Sequence, residues 1–151
     1  MVGSPGAGKT TFQHNYLNSY ENVSNEQLQT PAKCLTAMKD LLSAGKSVVV
    51  DNTNPQPEKR KIFIDAAKSL KVPVRAIFFD LEKDKCLYNN LQREVNTHRK
   101  HHSKKVPSIA LHIFFKNLQP PTTKEGFEEV ITVTFDPVFV SKADEQAYKG
   151  L

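Results

Sequence analysis

Near the start of the chain, Gly3-Ser4-Pro5-Gly6-Ala7-Gly8-Lys9-Thr10-Thr11 has the residue types and spacing needed to hold phosphate. The run fits the pattern G-x-x-x-x-G-K-[ST] at Gly3, Gly8, Lys9 and Thr10. Consecutive backbone N–H groups converge on phosphate oxygens only through backbone angles that glycine tolerates best. The Lys9 ammonium would reach the β and γ phosphates, and the Thr10 hydroxyl would ligate Mg2+. A helix starting at this point adds its positive end, and Phe12 and Tyr16, four apart, mark the face of one. The alternative is a plain glycine turn. The apolar-periodic helix that follows favours a nucleoside-triphosphate site, with ATP and Mg2+ as the groups held.

A second candidate lies where Lys46-Ser47-Val48-Val49-Val50 runs into Asp51-Asn52-Thr53-Asn54-Pro55. A continuous β-branched run is the mark of a buried parallel strand, and function in such a sheet gathers at the carboxyl ends of its strands. Asp51 is placed there to hold Mg2+ or its water. Asp51 and Asn54 could instead form an Asx turn that caps the next helix. Beside a phosphate loop the metal role gains weight.

His98-Arg99-Lys100-His101-His102-Ser103-Lys104-Lys105 is the most basic run of the chain. It could contact a nucleic-acid backbone or nucleotide phosphates, or be a solvated loop. Zinc on His98, His101 and His102 is disfavoured, because no cysteine or carboxylate stands nearby at ligand spacing. Phe114 and Phe115 could stack a base, although paired aromatics in an apolar helix are usually core. The formal net charge of +5 favours a polyanionic partner.

These residues need elements to position them, and the hydrophobic periodicity supplies alternating helices and strands. Helices are expected over 32–42, 57–70 (apolar face Ile62, Ala66 and Leu70), 82–96 and 108–118; strands are expected over 46–51, 72–79 and 129–135. Such alternation with right-handed crossovers predicts an α/β fold, a doubly wound parallel sheet of the P-loop type. At 151 residues one core of ordinary size is expected. Cys34 and Cys86 have no paired spacing and suit half-buried structural positions in a reducing compartment. A phosphate loop normally hangs from a central strand, yet only Met1 and Val2 precede this one. The sheet is thus expected to lack most of its first strand, which a longer protein would supply. One domain over 1–135 and a surface tail over 136–151 are the expected divisions.

The series G-x-P-G-A-G-K-T-T-F, G-K-S-V-V-V-D-N-T-N-P, N-N-x-x-R-E and P-T-x-x-E-G-F resembles the kinase domain of the bifunctional polynucleotide kinase 3′-phosphatases. The likeness runs from Gly3 to about Phe135, and the DNTNP segment and the EGF turn (Glu125-Gly126-Phe127) make it specific. It implies transfer of the ATP γ-phosphate to 5′-hydroxyl ends of DNA or RNA in strand-break repair. It also implies a phosphatase domain upstream, a monomer, no membrane, and a nuclear (or also cytoplasmic or mitochondrial) location.

Carried onto these residues, the resemblance makes Gly3 to Thr11 the ATP loop, Thr10 and Asp51 the metal ligands, and Asn52, Thr53 and Asn54 the acceptor lining. Lys9, Glu26, Asp51 and Arg93 become the catalytic set. Glu26 stands where the family has an aspartate base, one methylene shorter, and Asn25 where it has a basic residue. Leu91 replaces an arginine of the family's lid, while Arg93 keeps its neighbour. Two rivals stay open. One is a degenerate domain that binds nucleotide or DNA ends without turnover, and the other is a small-molecule P-loop kinase.

Overall fold

The computed structural model describes residues 1–95, 104–137, 139 and 141–151. Its regular elements are α1 (Lys9–Tyr16), β1 (Glu21–Val23), α2 (Asn25–Leu28), α3 (Pro31–Ser43), β2 (Val48–Val50), α4 (Pro57–Ser69), β3 (Arg75–Phe79), α5 (Lys83–Val95), α6 (Ser108–Asn117), a 3-10 turn (Thr123–Glu125), β4 (Glu129–Val133) and α7 (Lys142–Lys149).

Two parallel ribbons, β1–β2 and β3–β4, form the sheet. Met1 to Gly3 join them. Val2 donates to Ile77 O at 2.8 Å and accepts from Phe79 N at 2.9 Å, while Gly3 N–H donates to Thr53 O at 3.1 Å. On the other side the Met1 α-amine donates to Val50 O at 2.8 Å. The order is therefore β1, β2, the Met1–Gly3 stub, β3, β4, with every recorded pairing parallel, as the doubly wound reading expects.

Strand side chains alternate between two helical layers, as a pleat requires. Val49, Ile77 and Phe79 point into one layer with Leu17, Cys86 and Leu111, against α1, α5 and α6. Val48 and Val50 pack toward Cys34, Met38 and Phe63 of α3 and α4, with Ile64, Ala76 and Phe127 beside them. Helix α3 starts where the Thr30 hydroxyl accepts from Lys33 N–H and Pro31 takes the first position, a cap worth about 1 kcal/mol.

The core face of α4 departs from expectation. Ala66 is buried as expected, but Ile62 and Leu70 are 38% and 37% exposed, and Arg60, Phe63, Ile64 and Ala67 complete the buried face. Spacing of three, four and seven from position 60 is the true core stripe, and 62 and 70 lie on its rim. Cys34 and Cys86 are free and fully buried rather than half-buried. Phe114 is core and meets Phe115 edge-on at 5.2 Å.

Above the stub, between β2 and β3, lies a cleft of about 660 Å³ lined by Met1, Val48, Phe63, Ala67, Val74 and Ala76, among others. Past Phe135, Ser141 caps α7, whose Tyr148 is buried edge-on against Tyr88 of α5 at 5.7 Å. Among the described residues no helix is long and apolar enough to cross a membrane.

Candidate active site

The phosphate loop turns through Gly6 at φ 86° and Gly8 at φ 92°, left-handed angles that favour glycine. At Gly6 a Cβ would also collide with the Cys86 carbonyl oxygen, so α5 lies directly against the loop. Asn89 of α5 fixes that contact by donating its amide to Gly6 O at 3.0 Å. Phe12 N–H donates to Gly8 O at 2.9 Å, which starts α1 at the end of the loop. Ser4 and Ala7 are 1% exposed, so the loop's floor is rigid.

Lys9 curls back over the loop, donating from Nζ to Gly3 O at 2.9 Å and Ser4 O at 3.0 Å. Burial lowers its pKa to about 8, with Asp51 pulling the other way and Arg93 adding to the fall. Arg93, on α5, is depressed first by burial, and the carboxylates of Glu26 and Asp51 oppose the shift. The expected catalytic residues Lys9, Glu26, Asp51 and Arg93 thus share one electrostatic neighbourhood, although they come from α1, α2, the end of β2 and α5.

Asp51 leaves β2 with its N–H donating to Val23 O at 2.9 Å, which extends the β1–β2 ladder by one residue. Asn52 turns its Oδ1 to Asn25 N–H at 2.7 Å, and so ties the acceptor segment to the first turn of α2, which carries Glu26. Asn54 differs from its neighbours. It is 8% exposed and gives its carboxamide to Met1 O at 2.9 Å, so its side chain supports the stub beneath the loop. Thr53 uses its carbonyl in the same support, on Gly3 N–H. Glu26 is exposed.

Thr10, in the first turn of α1, and Asp51, just past β2, carry hard oxygen donors of the kind that Mg2+ takes. No cluster of histidine, cysteine and carboxylate suited to another metal occurs among the described residues. His98, His101, His102 and most of the basic run lie outside the described residues. At its end, Lys104 O accepts from Arg93 Nη1 at 3.4 Å, and Val106 pairs through both N–H and C=O with the buried Asn90 amide, at 3.0 and 2.7 Å.

Two functional contributors escape sequence reading. Asn90, within the quoted N-N-x-x-R-E series, anchors the return of the chain after Lys104. Arg60 is the other, and its signal is a cation set in the core stripe of α4 beside Phe63 and Ile64.

A family model described as an AAA domain matches residues 19–121. The chain is 37% identical over 137 residues to the bifunctional polynucleotide phosphatase/kinase of Schizosaccharomyces pombe, covering 89% of this chain and 33% of that protein. It is also 37% identical over 142 residues to a putative bifunctional polynucleotide phosphatase/kinase of Acanthamoeba polyphaga mimivirus, covering 89% and 32%. Transcription factor bHLH140 of Arabidopsis thaliana is 26% identical over 140 residues, which is 87% of this chain and 15% of that one. This chain thus spans about a third of the length of the first two relatives. With its parallel sheet and a phosphate loop closed by Lys9 and Thr10, the chain belongs to the AAA domain family, of the P-loop NTPase type.

Proposed function

We propose that this chain is an ATP-dependent polynucleotide 5′-hydroxyl kinase unit, acting on 5′-hydroxyl ends of DNA or RNA in strand-break repair. What carries this is the charge coupling of two cations with two carboxylates: Lys9 feels Asp51 and Arg93, and Arg93 feels Glu26 and Asp51, while Lys9 itself folds back onto the phosphate loop. A transferring phosphoryl group spreads negative charge over its oxygens and needs fixed cations around it. The attacking hydroxyl needs a carboxylate to accept its proton.

In this scheme Gly3 to Thr11 hold ATP, and Lys9 and Arg93 neutralise the γ-phosphoryl group. The 5′ oxygen attacks the γ phosphorus as Glu26 takes the hydroxyl proton. The bond from phosphorus to the β–γ bridging oxygen breaks and ADP leaves. Thr10 and Asp51 would hold Mg2+, which supplies further charge neutralisation on the phosphates. Asn52 and Thr53 shape the acceptor side, and Asn54 supports it from below.

The printed names of the two 37%-identical relatives support the substrate class, and the net charge of +5 suits a nucleic-acid partner. The same names support a phosphatase domain elsewhere in a longer protein. A monomer acting in the nucleus, with cytoplasmic or mitochondrial pools, completes the proposal on the strength of the family resemblance.

The test is transfer of labelled γ-phosphate from ATP to a 5′-hydroxyl oligonucleotide, with Lys9→Ala alongside. Transfer lost in the variant supports the proposal, and transfer retained overturns it. Leu91, 50% exposed on α5 where the resemblance expects arginine, favours a second reading. That reading is a module which binds ATP and DNA ends and transfers nothing. Phosphorylation of mononucleotides with no preference for DNA ends would instead mark a small-molecule kinase.

A further inference from the structure

We infer that Arg60 is a positioning residue, set by Glu125, that holds the roots of the phosphate loop and of the acceptor segment through Asn54. Arg60 sits on the core stripe of α4 with its side chain 2% exposed. Its Nε donates to Glu125 Oε2 and its Nη2 to Glu125 Oε1, both at 2.7 Å, while Nη1 donates to Asn54 O at 2.9 Å. All faces of the fork are therefore in use, by one partner near the end of the chain and one at the site.

Glu125 is itself fixed. It ends the 3-10 turn, its side chain is 13% exposed, and its Oε1 accepts from Thr122 N–H at 3.0 Å. Phe127, just beyond, is buried with Ile64 and Ala76. The EGF turn is thus a bracket on the α4 layer, and Arg60 carries its rigidity to the DNTNP segment.

What it holds there needs holding. Asn54 has φ 46°, a left-handed conformation that asparagine adopts more readily than other non-glycine residues but that still leaves the turn dependent on its hydrogen bonds. Its carbonyl is bound by Arg60 and its carboxamide by Met1 O. Thr53 O, one residue earlier, receives Gly3 N–H. Asp51 and Asn52 lead into this pivot from β2, and the phosphate loop leaves Gly3 on its other side. Among the described residues, Arg60 supplies the side-chain hydrogen bond that ties this pivot to the α4 layer. A buried ion pair is seldom retained for stability, because apolar residues of like volume serve as well. A positional role accounts for this one. Lysine cannot replace the arginine, since a point charge lacks the fork that reaches both Glu125 and Asn54.

This inference rests on the kinase reading only for its activity readout. The experiment follows Arg60→Lys and Glu125→Gln in the 151-residue chain by amide hydrogen exchange, thermal melting and γ-phosphate transfer. We expect Arg60→Lys to remain folded, with Gly3 and Asp51 amides exchanging roughly 10-fold faster at temperatures well below the melt. Glu125→Gln, which loosens Arg60 without emptying its place, should show the same pattern in smaller measure. Transfer should fall roughly 10- to 100-fold in kcat/KM, the scale of a small displacement at a reacting centre, with amides of α6 unchanged. Gly3 exchange at the wild-type rate in a folded variant overturns the inference. Should Arg60→Lys fail to fold, Glu125→Gln decides. Absence of transfer in the wild-type chain would sink the kinase reading and leave the exchange result to judge Arg60.

Discussion

The backbone N–H of Asn25 donates to Oδ1 of Asn52 at 2.7 Å, so the first turn of α2 and the segment leaving β2 are held together at the carboxyl end of that strand. The Cys34 thiol adds to the junction by donating to Asn25 Oδ1 at 3.2 Å. Glu26 follows Asn25 directly, in a helix of only four residues that could not hold its own geometry in water. Its position is therefore set by Asn52 and by the Ser24 cap.

Asn52→Ala should misplace Glu26 more than it disturbs ATP. Steady-state kinetics should show kcat/KM for the oligonucleotide down by about 10- to 100-fold, with KM for ATP within about twofold, as a misplacement near 1 Å implies. Equal loss for both substrates would contradict a link through α2.

Lys9 gives two effects of pH with opposite sign. Its folded pKa, about 8, lies below the ordinary 10.5, so between those values the unfolded chain binds more protons and folding stability rises with pH. Over the same window the free protein loses the ammonium that meets the β and γ phosphates. ATP affinity should therefore fall above about pH 8, and calorimetry beside melting curves would resolve the two trends. Lys9→Ala should abolish both the affinity change and transfer.

Glu26→Asp with Leu91→Arg restores the residues expected in the family at both departures. If the native pair limits the rate, the double variant should gain transfer by 10³-fold or more, the general worth of an arginine in phosphoryl transfer. A wild-type rate that the double variant leaves unchanged would show that glutamate and Arg93 suffice.

The Met1 amine provides a further test. Burial lowers its pKa from 8.0 to about 6, against an upward pull from Asp51. The unfolded chain again binds more protons between those values, so stability should rise as pH climbs from 6 to 8, by up to about 2–3 kcal/mol. Nα-acetylation leaves one N–H for Val50 O and no charge to desolvate. Urea melts of the acetylated chain should be flat in that window.

What the sequence made legible was local. The phosphate loop is contiguous, so Gly3 to Thr11 could be read as one object. The bounds of α3, α4 and α6 follow from periodicity and from prolines at 31, 57 and 107, to within a residue at each end. Strand β1 stayed hidden because three residues carry no period, and its pairing comes wholly from β2. The face of α4 was read from Ile62, Ala66 and Leu70, a reading that left out Arg60. Only its pairing with Glu125, 65 residues away, makes it a core residue, and no spacing rule connects the two. Likewise Asn54, grouped with Asn52 by the motif, points the other way because φ 46° reverses the chain there.

The cleft between β2 and β3 has a consequence for handling the protein. Among the described residues, no strand lies between the facing backbones of Val48–Val49 and Arg75–Ala76 above Val2, and the flanking walls are largely apolar. Unpaired strand edges of this kind recruit other chains, and recessed apolar walls reward the segment that enters. Concentrated solutions of the 151-residue chain should therefore self-associate by edge pairing. Light scattering as a function of concentration would measure that association.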